Sequence, residues 1–251
     1  MVQNLIYIFL FYLLYFHIVM VFYSVWMHRG YAHKQFTFSK TFDHVGRFVF
    51  YTLGWTSFPN WLKVAVGTHR NHHKYSDTEN DSHSPYHVPV LGIYFEKYNP
   101  FYAKVTNDDL QKLAPDITSF DDYLQNTIYN KFRYGGLVVM LCIYFLLFGW
   151  LGLTIGLILQ LFTSFILVPW VASWLIHKYG FYYNLKRKYP DQSVNVIPIG
   201  IYLCGEELHS NHHVDPNSYN FREKWYEFDV GYWYALLFAK FKLLKFRNTI
   251  E

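Results

Sequence analysis

Apolar and polar positions along the chain fall into long blocks. Residues 5–26 are apolar apart from His17, Ser24 and several tyrosines. At roughly 22 residues this block is long enough to cross a hydrocarbon core of about 30 Å. A secretory signal would show a basic start and a small-residue cleavage site, and neither occurs here, so a membrane anchor is expected. Residues 135–176 carry no charge at all. About 42 residues at about 1.5 Å each make two crossings, predicted at about 135–151 and 154–176 with the turn near 149–154. Between these blocks, residues 45–58 are apolar but broken by Arg47 and Gly54, which predicts a helix along the membrane face. Residues 88–134 are mixed and polar, with a helix expected over 119–132 capped by Ser119. The tail at 225–247 mixes Trp, Tyr and Phe with Lys240, Lys242, Lys245 and Arg247, a pattern suited to a membrane surface. No repeat or linker divides the chain, so a single domain over 1–251 is expected.

Composition agrees with the pattern. Aromatic residues make up 22% and charged residues 16% of the 251 positions, few charges for a soluble globule. The net charge of +4 is mild and no basic stripe stands apart from the membrane flanks, so no nucleic-acid partner is expected. Cys142 and Cys204 lack the CxxC spacing of a zinc or redox motif. Three crossings would put the N-terminus on one side and the polar clusters on the other. That second side carries Arg29, Lys34, Lys40, Arg47, Lys63, Arg70, Lys74, Lys131, Arg133 and the basic run at 178–188. The excess of positive charge predicts a cytoplasmic location for it.

Nine of the 13 histidines lie at the edges of the apolar blocks. His28 and His33 follow the first crossing, and His177 ends the third. His69, His72 and His73 share an i, i+3, i+4 spacing, and His209, His212 and His213 repeat it. On a helix such residues fall on one face. Imidazole is a common ligand for zinc, copper and iron. Nine imidazoles without paired cysteines exceed a tetrahedral zinc site, whereas two metals of five or six coordination would use them, and redox-active iron is the candidate. A transporter would place ionisable groups near the bilayer midplane; here only His17 does so, and it reads as structural. His44, His83 and His87 stand outside the pattern.

The motifs His28-Arg29-Gly30-Tyr31-Ala32-His33, His69-Arg70-Asn71-His72-His73 and His209-Ser210-Asn211-His212-His213 resemble the three histidine boxes of the membrane fatty acid desaturases. The similarity is greatest to the delta-9 acyl-lipid and acyl-CoA group. It extends to Tyr75-Ser76-Asp77, to His177-Lys178-Tyr179-Gly180, to Gly205-Glu206 and to the tail with Trp225, Asp229, Tyr232 and Trp233. The resemblance implies an all-α integral membrane fold whose cytosolic helical cap holds a histidine-ligated dimetal site. Its iron ligands would be His28, His33, His69, His72, His73, His177, His209, His212 and His213, with no catalytic residue separate from them. It implies a non-haem di-iron centre that uses O2 and two electrons to place a cis double bond in an acyl chain. No His-Pro-Gly-Gly haem motif or cysteine-ligated cluster occurs, so a separate ferredoxin or cytochrome b5 type donor is expected. Glu206, Asp77 and Asp81 are candidates to accept the far N–H of a ligating imidazole, and Arg70 to pair with one of these acids.

The chain also departs from the family. One crossing replaces the usual hairpin before the first box, and Ser210 stands where many members have Asn. Acyl-CoA desaturases tend to carry an Arg-Asp pair and an upstream Trp before the second box; Gly67, Thr68 and Ala65 occupy those places. Acyl-lipid and acyl-carrier-protein substrates remain open. A hydroxylase, ketolase or decarboxylase on the same scaffold and a non-catalytic metal transporter or sensor are the alternatives.

Overall fold

No glycine or proline interrupts the chain before Gly30, and nothing breaks its first helix. The computed structural model describes residues 2–55, 61–89, 92, 106–117, 120 and 122–247. Helix α1 (Val2–Val21) passes without interruption into wider, π-type winding over Phe22–Ala32. The joined helix is long and apolar enough to cross a membrane, as is the stretch Gly135–Leu167. Ile8, Tyr12, Tyr15 and Val19 of α1 are buried against the rest of the protein, while Ile6, Phe9, Leu10 and Leu14 face outward.

The second apolar stretch is a hairpin. Within α5 (Gly135–Phe162), Gly149 has φ 64° and ψ −153°, a conformation open essentially to glycine alone. A Cβ on Gly156 would lie 2.4 Å from the ring of Tyr144, whereas a straight helix would hold those residues about 18 Å apart. The reversal falls in the interval where the turn is expected. Beyond it the chain stays helical through Thr163–Leu167, Val168–Trp170, Val171–Leu175 and Ile176–Lys178. Buried hydrogen bonds tie the hairpin to α1 and to α2 (Lys40–Thr52): Tyr12 to Thr163 at 2.9 Å, Tyr15 to Thr52 at 2.9 Å, and Gln160 Nε2 donating to Tyr15 and to the Thr52 carbonyl. In an apolar medium such bonds hold helices together where hydrophobic association cannot.

Helix α2 begins earlier than the apolar pattern suggests, because the Ser39 side chain accepts from the Phe42 amide and caps it. Residues 56–60, which include the expected end of this segment, lie outside the described residues. Helix α3 (Trp61–Tyr75) carries the second histidine cluster. Trp26, Phe50 and Trp61 fill the space between α1, α2 and α3, with ring centroids 5.2–6.2 Å apart. Helix α4 (Asn107–Leu113) opens on a capping box of Thr106 and Asp109. Ser119, the expected cap of the next helix, is outside the described residues; Asp122 accepts from the Gln125 amide at 3.0 Å in that region. Helix α6 (His209–Val214) follows one tight turn at Glu206–Leu208, and α7 (Val230–Lys240) packs Tyr234 against His17.

The fold is mostly helical rather than wholly so. Strand β1 (Phe36–Phe38) pairs antiparallel with β4 (Leu244–Phe246), and β2 (Ile199–Gly200) pairs parallel with β3 (Phe228–Asp229). The expected surface segment at 225–247 is therefore helical only over α7, and its end is a strand that clasps the residues after the first histidine pair. Gly156→Val is expected to lower the unfolding temperature in detergent, the overpacking costing about 1–3 kcal/mol. Leu146→Ala, on the exposed face of the same hairpin, should leave it unchanged; equal shifts for the two would contradict the close approach at Tyr144.

Candidate metal centre

His28 and His33 are five residues apart, and on an ordinary α-helix that spacing points them well away from each other. The π-type winding removes the problem, because it closes i to i+5 hydrogen bonds. The His33 amide donates to the His28 carbonyl at 3.0 Å, and the two rings sit 4.9 Å apart. On α3 and α6 the ordinary helical period already places the clustered histidines on one side.

All nine histidines converge, in two sets. His28, His33, His69, His73 and His212 form one; His72, His177, His209 and His213 form the other; within each set the nearest ring nitrogens lie within 4.8 Å of one another. Each of the two helical clusters is split between the sets: α3 gives two histidines to the first and one to the second, and α6 the reverse. The sets adjoin where His73 and His213 approach to 4.4 Å between ring centres.

Hydrogen bonding among the rings does not account for this packing. His212 Nε2 lies 3.0–3.1 Å from the Nε2 atoms of His28, His33 and His73. His177 Nε2 lies 3.0 Å from that of His72 and 3.2 Å from that of His209. A neutral imidazole has one N–H and one lone pair, so these groups cannot all be satisfied by each other. A cation shared by the lone pairs can satisfy them. The residues fit a pair of metal ions, one per set, with nitrogen donors only.

Carboxylates stand behind the rings. His72 Nδ1 is 2.8 Å from Asp81 Oδ2, and His177 Nδ1 is 2.8 Å from Asp77 Oδ2. His28 Nδ1 is 2.7 Å from Glu206 Oε2, a close approach that lies off the N–H axis. Asp77 adopts φ 57°, rare for a residue with a side chain; its amide donates to Asp81 and its Oδ1 accepts from Ser84. Sequence reasoning missed Asp191, 3.3 Å from His213 Nδ1, which sits in a loop with no spacing relation to the boxes. It also missed the partner of Arg29, whose buried guanidinium donates to Asp229 at 2.8 Å and stacks on Phe221 at 3.6 Å.

One expectation needs adjustment. Arg70 pairs with none of Glu206, Asp77 and Asp81. It donates to Asp116 at 2.6 and 3.0 Å and to the carbonyls of Tyr31, Ala32 and Leu113, which fastens α3 to the first histidine segment. The four histidines outside the pattern have structural contacts: His17 with Tyr234, His44 with Arg47, His83 with Ser82 and stacked on His72, and His87 with the Asp77 carbonyl.

Comparison with known proteins follows from this geometry. A model of the fatty acid desaturase family matches residues 4–241, and the chain belongs to that family. It is 29% identical to the hex-5-enoyl-(acyl-carrier protein) acetylenase of Moorena producens over 83% of this chain and 67% of that protein. It is 25% identical to an sn-1 stearoyl-lipid 9-desaturase of Synechocystis over 84% of this chain and 62% of that protein. It is 27% identical to delta-9 acyl-lipid desaturase 2 of Arabidopsis thaliana over 86% and 66%. The chain spans about two thirds of the length of these curated relatives. With its two long apolar helices, family membership makes it a membrane-associated protein.

Burial first, and neighbouring imidazoles second, push the pKa values of His33, His69, His73, His209 and His212 well below 6.5. Folded, these groups stay neutral where the unfolded chain takes up protons. Below about pH 6.5 the unfolded state therefore binds more protons, and stability falls as pH drops. Metal-free protein should lose stability on acidification, the loss from these five histidines being opposed in part by His72, whose pKa, against its burial, the Asp81 carboxylate raises. Unfolding followed between pH 7 and pH 5 checks this; a stability that rises on acidification would contradict it.

Proposed function

We propose that this chain is a fatty acyl desaturase that introduces a cis double bond into an acyl chain at a non-haem di-iron centre. The observation that carries the reading is the convergence of nine imidazoles into adjoining sets of five and four, in a chain of the desaturase family. His28, His33, His69, His73 and His212 would hold one iron, and His72, His177, His209 and His213 the other. Bound there, the iron pair would supply the oxidising power by which O2, two electrons and two protons take two hydrogens from adjacent methylenes, leaving a double bond and two waters.

The chain's own residues bind, orient and dry the site. Asp77 and Asp81, with Glu206 close behind His28, accept toward Nδ1, which fixes ring orientation and strengthens the Nε2 donors. The aromatic cluster of Trp26, Phe50 and Trp61, whose tryptophans stand two residues before His28 and eight before His69 on the same helices, would keep water from the reacting methylenes. A saturated chain has no polar handle, so where the cluster places it selects the carbons oxidised.

The positions that carry charge in acyl-CoA enzymes are quiet here. Thr68 Oγ1 is satisfied by the Val64 carbonyl at 2.6 Å, and Gly67 is buried. This favours an acyl-lipid or acyl-carrier-protein substrate. The helix Val2–Ala32 and the two arms on either side of Gly149 would make three crossings. The histidines would then face the cytoplasm, with the Val2 end and the hairpin tip opposite. Electrons would come from a separate ferredoxin or cytochrome b5 type protein.

The test is reconstitution with a reduced donor and mass spectrometry of products from acyl-lipid, acyl-carrier-protein and acyl-CoA substrates. A new cis double bond is expected on one of the first two. His72→Ala should abolish the product and reduce bound iron below two per chain. No unsaturated product from any carrier, with iron loaded and donor reduced, would overturn the reading.

A further inference from the structure

The two histidine sets differ in what stands behind them. Three of the four rings in one set are backed by carboxylates: His72 by Asp81, His177 by Asp77 and His213 by Asp191, at 2.8, 2.8 and 3.3 Å. Backbone amides and hydroxyls steady these acids: Asp81 accepts from the amides of Asp77 and His83, Asp77 from Ser84 and the Gln192 amide, and Asp191 from Ser193. Among the described residues no lysine or arginine pairs with any of the three.

In the five-histidine set, among the described residues, a carboxylate stands behind His28 alone, and that carboxylate has a cation beside it. Arg29 Nη1 is 3.5 Å from Glu206 Oε1, on a guanidinium with no exposed surface. The protein is shaped around this group. A Cβ on Gly205 would lie 2.7 Å from Nη2, and one on Gly231 would lie 2.8 Å from Nη1. Phe221, on which Arg29 stacks, also packs against His212 at 4.3 Å. Counting Asp229, the formal charge around the five-histidine set is −1, from Glu206, Asp229 and Arg29; around the four-histidine set it is −3.

We propose that the two metal positions are inequivalent, the four-histidine position backed by Asp77, Asp81 and Asp191 binding its divalent ion first and more tightly. The proposal rests on the two-metal reading above. A carboxylate behind an imidazole raises the basicity of the coordinating nitrogen, and losing one such partner typically lowers metal affinity 10–100-fold. Three of them act on one ion here, through four donors. At the other position one acts on one donor of five, with Arg29 drawing charge away from it. Arg29 is in this account a positioning residue that works through Glu206.

Cobalt(II) tests this without turnover, since its visible absorption reports coordination number and each binding step is counted directly. Titrated into metal-free, detergent-solubilised protein, it should bind in two resolved steps. Asp191→Asn should weaken the first step about 10–100-fold and leave the second, while Glu206→Gln should weaken the second and leave the first. Two ions bound with both constants unchanged in both variants, or with the pattern reversed, would overturn the proposal alone. Fewer than two ions per wild-type chain would overturn the two-metal reading and the proposal with it.

Discussion

Neutral imidazoles packed nitrogen to nitrogen are the constraint on which the rest of this structure depends. Burial opposes protonation of His33, His69, His73, His209 and His212, and the number of rings forbids them to satisfy each other by hydrogen bonds. Holding them in place takes a rigid frame, and the fold supplies it from four segments. The π-wound end of the first apolar helix brings His28 and His33, α3 and α6 bring three histidines each, and the last turn of the hairpin brings His177. Arg70 locks the first segment to the second through the Tyr31 and Ala32 carbonyls, and holds both to the end of α4 through the Leu113 carbonyl and Asp116. Asn211 locks the third in place through Glu227 and the Phe221 carbonyl.

The frame is itself anchored by polar means. Tyr12, Tyr15, Thr52, Gln160 and Thr163 form a buried hydrogen-bonded knot between α1, α2 and the hairpin. The reversal at Gly149 brings Tyr144 against Gly152 and Gly156. Small residues and interhelical hydrogen bonds do this work where lipid would otherwise compete equally well for apolar faces. Trp26, Phe50 and Trp61 stack on one another between the helices that carry the first two histidine clusters.

Much of this was legible in the sequence because it is local. Apolar blocks locate the helices, and i, i+3, i+4 spacing locates α3 and α6 as carriers of imidazole. Asp77, Asp81 and Glu206 stand within a few residues of the boxes, so proximity was enough to single them out. What was illegible is what depends on winding or on distant contacts. The π-type turn that aligns His28 with His33 leaves no mark in an apolar periodicity. The division of each helical cluster between two sets is decided by which neighbours face it. Asp191 and the Arg29–Asp229 pair join residues far apart in the chain, and Arg70 found Asp116 instead of the acids nearer to the boxes. The strand at Leu244–Phe246 was hidden in an aromatic and basic tail, since its partner lies some two hundred positions earlier.

The central claim is that these nine histidines are the donors to two iron ions. X-ray absorption at the iron edge of protein loaded with two equivalents tests it most directly, because imidazole rings leave a distinctive multiple-scattering signature. The account predicts a first shell dominated by imidazole nitrogen, without sulfur, and a matching loss of that signal when His69, His73 and His212 are replaced together. A shell dominated by oxygen or containing sulfur, or a spectrum indifferent to those replacements, would contradict it.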